Sequence, residues 1–282
     1  MPIEVKEVSC RYGERTPLEV QALKEISFRA EDGEFVGIMG HTGCGKSTLI
    51  QLIAGLLTPG EGQILIDGKD INGPGYDREE LRRTLGIVFQ YPESQLFETT
   101  VWRDVAFALK HLDLSREEKA ERVRWVLEAV GFRMERAGKS PLSLSGGEKR
   151  RVAIAGVLAA RPRILIFDEP LAGLDPWGRL EFLELAARLH RQGNTILMVS
   201  HDADALCGYA DRILVLDRGR LSAQGTPEEI FGDLERAETL HIGAGEVRRI
   251  AQALYEKGRL QSPAITKYKI LLGEIKKNNK GR

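Results

Sequence analysis

Apolar and polar positions alternate over residues 3–9, with Ile3, Val5 and Val8 set against Glu4, Lys6 and Glu7, and that period predicts a strand with one exposed face. Tyr12 follows in the turn Arg11-Tyr12-Gly13-Glu14-Arg15-Thr16-Pro17. Two more strands are expected over 22–30 and 34–39, with Glu31-Asp32-Gly33 as a hairpin turn between them. Further strands fall at 63–67, 85–89, 164–167, 195–199, 213–216 and 220–223. Helical periods run over 49–54, 118–130, from 145 through 158, and over 178–191, 203–210, 246–255 and 265–275. Ser115 and Glu118 form a capping box for the second of these, and Val123, Val126, Leu127 and Val130 share its apolar face. Strands alternating with helices predict an α/β fold with a mainly parallel sheet. Residues from about 92 to 160 break that alternation and read as a helical insertion.

One stretch joins a buried strand to a helix through glycines. Phe35, Val36, Ile38 and Met39 lead into Gly40-His41-Thr42-Gly43-Cys44-Gly45, then Lys46-Ser47-Thr48 and a helix. This is the phosphate-loop pattern in the setting that gives it meaning. Glycines let several backbone N–H groups turn toward one anion, and the helix start adds partial positive charge. Lys46 would reach the terminal phosphates of a nucleoside triphosphate, and Ser47 would ligate Mg²⁺.

Two further stretches narrow the chemistry. Ile164-Leu165-Ile166-Phe167 is apolar throughout and delivers Asp168 and Glu169 to the carboxyl edge of the sheet, where ligands bind in open α/β folds. Asp168 would hold Mg²⁺, and Glu169 is suited to polarise the attacking water. Ser145-Gly146-Gly147-Glu148 opens a long helix and offers a hydroxyl, free N–H groups and a helix dipole. One nucleotide needs one phosphate loop, so this second anion site invites use in trans, on a nucleotide held by another subunit.

Composition removes several classes. The 282 residues carry 41 Lys plus Arg against 41 Asp plus Glu, a zero balance that argues against a general nucleic-acid binder. Cys10, Cys44 and Cys207 are scattered and fit neither a disulfide framework nor a zinc site, which suits a reducing cytosol. The start is charged from Glu4 and predicts no signal peptide. No uncharged apolar run approaches the roughly 20 residues of a membrane span, so a membrane role is expected through a partner. The basic end, 276–282, reads as a frayed terminus, with contact to an anionic membrane surface as the lesser alternative.

From about residue 3 to 231 the chain resembles the ATP-binding cassette (ABC) ATPases. The phosphate loop, Gln90, Leu144-Ser145-Gly146-Gly147-Glu148, the 164–170 strand, Leu171-Ala172-Gly173-Leu174-Asp175 and His201 occur in that family's order. The resemblance implies a P-loop NTPase domain over 1–231, with an antiparallel N-terminal β-subdomain and a helical subdomain over about 92–160. It also implies a C-terminal helical extension over 232–282 that helps dimerisation. It implies ATP and Mg²⁺, bound where two such subunits meet head to tail. Tyr12 would stack on adenine, and Gly40, His41, Thr42, Gly43, Cys44, Gly45, Lys46, Ser47 and Thr48 would cradle phosphate. Ser47, Gln90 and Asp168 would hold Mg²⁺. Glu169, His201 and Gln90 would serve hydrolysis, while Ser145, Gly146, Gly147, Glu148 and Asp175 would act across the dimer.

The stretch from Phe89 through Gln90, Tyr91, Pro92, Glu93, Ser94, Gln95 and Leu96 to Phe97 is similar to the ATPases of energy-coupling-factor importers of vitamins or transition-metal ions. In that group a homodimer, or a heterodimer with a second ABC ATPase, binds a transmembrane scaffold and a small substrate-binding membrane protein. This would place the chain peripherally, on the cytoplasmic face of the cell membrane. The alternatives are another ABC importer class, or a soluble ABC ATPase acting on DNA or ribosomes; a small-molecule phosphotransferase would have no use for the Ser-Gly-Gly turn. Cys44 stands where serine is commoner and, at a helix start, is expected to be reactive. Glu148 stands for a frequent glutamine, and its charge is expected to weaken the ATP-bound dimer slightly.

Overall fold

The computed structural model describes residues 1–13 and 16–280; Glu14, Arg15, Gly281 and Arg282, which the turn after Tyr12 and the basic end include, lie outside the described residues. The chain divides into two compact units, one of residues 1–76 with 197–282 and one of residues 77–196. The extension expected from residue 232 is part of the first unit.

In the first unit, β1 (Ile3–Tyr12) pairs antiparallel with β2 (Val20–Ala30) on one side and β4 (Glu61–Ile66) on the other, and β5 (Lys69–Asp70) closes that sheet. A second sheet contains β3 (Phe35–Met39), which pairs parallel with β9 (Arg212–Asp217), and β9 forms a hairpin with β10 (Arg220–Gly225). The expected hairpin between 22–30 and 34–39 therefore does not form. β2 alternates between buried and exposed positions, as an antiparallel strand with one wet face does, whereas all five residues of β3 are buried. Glu31-Asp32-Gly33 connects two sheets instead of two neighbours. Tyr12 is likewise the last residue of β1 and not part of the turn.

The helices of this unit are α1 (Lys46–Ile53), α7 (Ala203–Tyr209), α8 (Pro227–Phe231), α9 (Leu234–Thr239), α10 (Glu246–Glu256) and α11 (Tyr268–Lys280). Asp204 of α7 accepts hydrogen bonds from the backbone N–H of Glu246 (2.7 Å) and Val247 (3.2 Å), supplying the cap that Gly245 lacks. Val247, Ala251, Leu260 and Leu271 form a small core of the extension, joined by Leu254, Ile265 and Ile275. Fully burying such a side chain contributes about 1.5–3 kcal/mol, enough to order a short helical segment.

In the second unit, β6 (Leu85–Val88) and β7 (Ile164–Asp168) are parallel neighbours, with Val88 opposite Phe167. β8 (Thr195–Val199) is divided between the units, its first two residues in this one. The helices are α2 (Arg78–Thr84), α3 (Val101–Phe107), α4 (Arg116–Ala129), α5 (Gly146–Ala159) and α6 (Pro176–Arg191). The Ser115–Glu118 capping box starts α4, and Val123, Val126 and Leu127 are fully buried, as the pattern predicts. Among the described residues no helix is long and apolar enough to cross a membrane.

Candidate active site

In the first unit the glycine loop leaves β3 and turns into α1. Gly40, Gly43 and Gly45 all have positive φ (144°, 82° and 107°). A Cβ on Gly45 would lie 2.7 Å from the Ala22 carbonyl oxygen and 2.6 Å from Leu23 Cδ2, and one on Gly40 would run into the Leu216 carbonyl. Glycine is thus required by close backbone approach as well as by φ. Gly40→Ala is expected to destabilise the fold by about 3 kcal/mol or more, read as a lower urea midpoint; an unchanged midpoint would show that the loop re-forms around the methyl. Gly45 caps α1 without a side-chain hydrogen bond, which leaves the first amides of the helix to an outside acceptor.

Lys46 is buried, and its ammonium donates to the carbonyls of Gly40 (2.7 Å) and His41 (3.0 Å). Thr42, Gly43 and Ser47 are exposed. Tyr12, at the end of β1, places its hydroxyl 3.2 Å from Thr48 Oγ1, so the expected adenine-stacking ring stands beside the loop. Ser200, after β8, donates its N–H to Ile38 (3.2 Å), so His201 emerges where β3 delivers the loop. Desolvation, and then the Lys46 charge, lower the His201 pKa below that of a free histidine, so its imidazole is neutral at pH 7. His41 is held from two sides, with Nδ1 2.8 Å from the Thr42 carbonyl and Nε2 3.1 Å from Asp217. Cys44 corrects the expectation of a reactive thiol. It is buried, and burial raises its pKa in spite of Lys46 beside it.

In the second unit the adjacent strands β6 and β7 bring out Gln90, Asp168 and Glu169 at one edge. Both strand ends turn through a left-handed residue that is not glycine, Tyr91 (φ 56°) after Gln90 and Glu169 (φ 46°) after Asp168. Each such residue costs about 1–3 kcal/mol in backbone strain, which persists only where the surrounding structure holds it. No sequence pattern signals it.

Ser145 is the N-cap of α5 in a full capping box with Glu148, and Ser145, Gly146 and Gly147 are exposed. A Cβ at Gly146 or Gly147 would meet nothing within 4 Å, so packing inside the chain does not demand glycine there. Glu148 is not a bare charge. Arg136 pairs with its Oε1, and the Ser145 N–H donates to Oε2 (3.0 Å). The hydrogen bond from the Ser145 backbone, with Arg136 assisting, holds this carboxyl below the usual carboxylate range. Asp175 caps α6 by accepting from Gly178 N–H (2.7 Å). The expected residues thus lie as two groups. Tyr12, the glycine loop, Ser47 and His201 are in one unit, while Gln90, Ser145, Asp168, Glu169 and Asp175 are in the other.

The Ser47 hydroxyl in the first unit, and the Gln90 amide and Asp168 carboxylate in the second, are each hard oxygen donors of the kind that suit Mg²⁺. Among the described residues no cluster of three or more His, Cys, Asp or Glu side chains is placed to hold a metal.

Residues 23–172 match the family described as ABC transporter. The chain belongs to that family. The energy-coupling factor transporter ATP-binding protein EcfA2 of Caldanaerobacter subterraneus subsp. tengcongensis is 49% identical over 259 residues, covering 92% of this chain and 91% of that protein. EcfA2 of Clostridium perfringens is 42% identical over 99% of this chain and all of its own length. Among solved structures, cbiO1 of Clostridium perfringens, part of the ABC transporter complex cbiONQ, is 37% identical with a TM-score of 0.74, covering 90% of this chain and 98% of that one. The dimeric ABC cassette MJ0796 bound to ADP and Pi is 31% identical with a TM-score of 0.71, covering 80% and 98%. The ABC chain described here is accordingly a nucleotide-binding ATPase with the P-loop NTPase fold, its hydrolysis coupled to transport.

Proposed function

We propose that this ABC ATPase powers an energy-coupling-factor importer for a vitamin or a transition-metal ion. It would work as a dimer on the cytoplasmic face of the membrane, docked on a transmembrane scaffold that also carries a small substrate-capturing protein. The observation that carries this reading is the likeness, over nine-tenths of the chain, to proteins named energy-coupling factor transporter ATP-binding proteins. The exposed Ser145-Gly146-Gly147 turn supports the dimer, because a chain with its own phosphate loop leaves this second anion-binding helix start for another subunit's nucleotide.

In this reading the loop from Gly40 to Thr48 binds ATP. Lys46 exchanges its carbonyl acceptors for β- and γ-phosphate oxygens, and Tyr12 stacks on adenine. Ser47, Gln90 and Asp168 would hold Mg²⁺, which when bound neutralises charge on the β- and γ-phosphates. Glu169 takes the proton of the attacking water as its oxygen bonds to the γ-phosphorus. The bond to the bridging oxygen breaks, and ADP and inorganic phosphate result. His201, neutral at pH 7, donates an N–H to the γ-phosphate. Ser145 and the start of α5 meet that phosphate from the partner subunit, with Asp175 at the same interface. These contacts exist only in the closed dimer, so ATP shifts the equilibrium toward closure and hydrolysis releases it. Gln90 and the helices after it pass the motion to the scaffold.

The test is affinity capture of the tagged chain from detergent-solubilised membranes of its own source. A multi-span scaffold with a small membrane protein is expected to co-purify, with or without a second ATPase. Recovery of ribosomal or DNA-bound proteins alone would overturn the transport role and leave the ATPase.

A further inference from the structure

The capping box at α5 sets a problem for a turn that is to receive phosphate. Ser145 has one hydroxyl proton. Its Oγ lies 2.9 Å from Glu148 Oε2 and accepts from the Glu148 N–H at 3.4 Å, so that proton points at the carboxylate. The Ser145 N–H is directed to the same oxygen. Glu148 therefore occupies, as an internal anion, two of the donors that an incoming phosphate would use. An anionic carboxylate so close to a triphosphate is also repulsive.

Arg136 answers both difficulties. It sits in the short turn Met134–Arg136, and that turn is pinned to the start of α3. The Trp102 N–H bonds to the Ala137 carbonyl (2.8 Å), and the Val101 N–H bonds to the Lys139 carbonyl (3.0 Å). Its guanidinium grips Glu148 Oε1, the oxygen that Ser145 does not use. Both side chains are largely covered, at 30% and 16% exposure, so the pair is less screened than a surface one. Resting on the trans reading of the Ser145 turn, we propose that Arg136 is a positioning residue for ATP-driven dimerisation. It neutralises Glu148 and keeps it on Oε1 when Ser145 turns its N–H and hydroxyl to the γ-phosphate held by the partner subunit. A carboxylate at this position is thereby compatible with the anion site.

The full-length ATPase in its transport complex is assayed as R136Q, R136K, E148Q, the double variant R136Q/E148Q and S145R. R136Q is expected to raise KM for ATP roughly five- to tenfold, the scale of one unpaired charge near the phosphates, with kcat within about twofold. ADP affinity should not change, which separates this effect from misfolding, and added salt should shrink the defect. In the E148Q background R136Q should cost less than about twofold in KM, and R136K should restore most of the loss. An equal KM penalty in the E148Q background, or none in either background while S145R abolishes hydrolysis, overturns the role of Arg136 alone. Full hydrolysis by S145R overturns the trans reading and this proposal with it.

Discussion

Glu169→Gln is expected to lower steady-state ATP hydrolysis by about 10²–10⁴-fold while ATP still binds. The strand that ends just before this residue is apolar and buried from Ile164 to Phe167, so the change does not touch its packing. Glutamine has nearly the same volume and can keep a hydrogen bond to water, but it cannot accept the proton that the attacking water loses. In the proposed cycle closure of the dimer depends on the γ-phosphate, which this variant would no longer remove. An ATP-loaded dimer should therefore accumulate, visible as a doubling of mass in size-exclusion with light scattering. Turnover at the parent rate would reject Glu169 as the base. Loss of nucleotide binding together with turnover would point to a structural role instead.

What could be read from the sequence divides by range. Capping boxes are local: Ser115–Glu118 forms one as its spacing predicts, and Ser145–Glu148, which has the same spacing, forms another that the reading of Glu148 as a bare charge does not include. The apolar runs at β3, β7 and β8 identified the buried strands because nothing but burial accounts for such runs. Other helix starts carry equally local signals. Asp77 caps α2, and Thr226-Pro227-Glu228-Glu229 is a capping box with proline at the first helical position, starting α8. Strand partners are a different matter. Whether β2 pairs with β3 or with β1 depends on residues far apart in the chain, so a short connection between two strands looks like a hairpin in the sequence and is not one.

The site residues follow the same division. The glycines, Lys46 and Asp168-Glu169 are legible because phosphate and metal chemistry restrict residue type at fixed spacing. The side-chain environments are not. The burial that makes Cys44 inert comes from the fold around it, and Arg136 reaches Glu148 through a turn that carries no motif. In the sequence Glu148 is an unopposed charge; its partner Arg136 is fixed only by tertiary structure.

Lys46→Ala is expected to weaken nucleotide binding about a hundredfold or more. The ammonium makes two hydrogen bonds to loop carbonyls, at 2.7 and 3.0 Å, and in the ATP complex phosphate oxygens would take their place. Charge-assisted bonds of this kind contribute about 1.5–3 kcal/mol each, so losing two accounts for that scale. Folding should respond far less. Truncation removes the two carbonyl hydrogen bonds and a weak one to Cys44 Sγ (3.8 Å), but also relieves the desolvation of a charge that is only 7% exposed, and these oppose each other. The loop keeps its shape through the positive φ of Gly40, Gly43 and Gly45, which alanine at position 46 does not alter. Titration with a fluorescent ATP analogue alongside a melting curve separates the two effects. Weak binding with a melting temperature near the parent's supports a lysine that acts on phosphate. Equal weakening of both would mean that Lys46 mainly supports the loop. Unchanged binding would count against the phosphate-loop assignment itself, because no other cation in that loop could substitute for it.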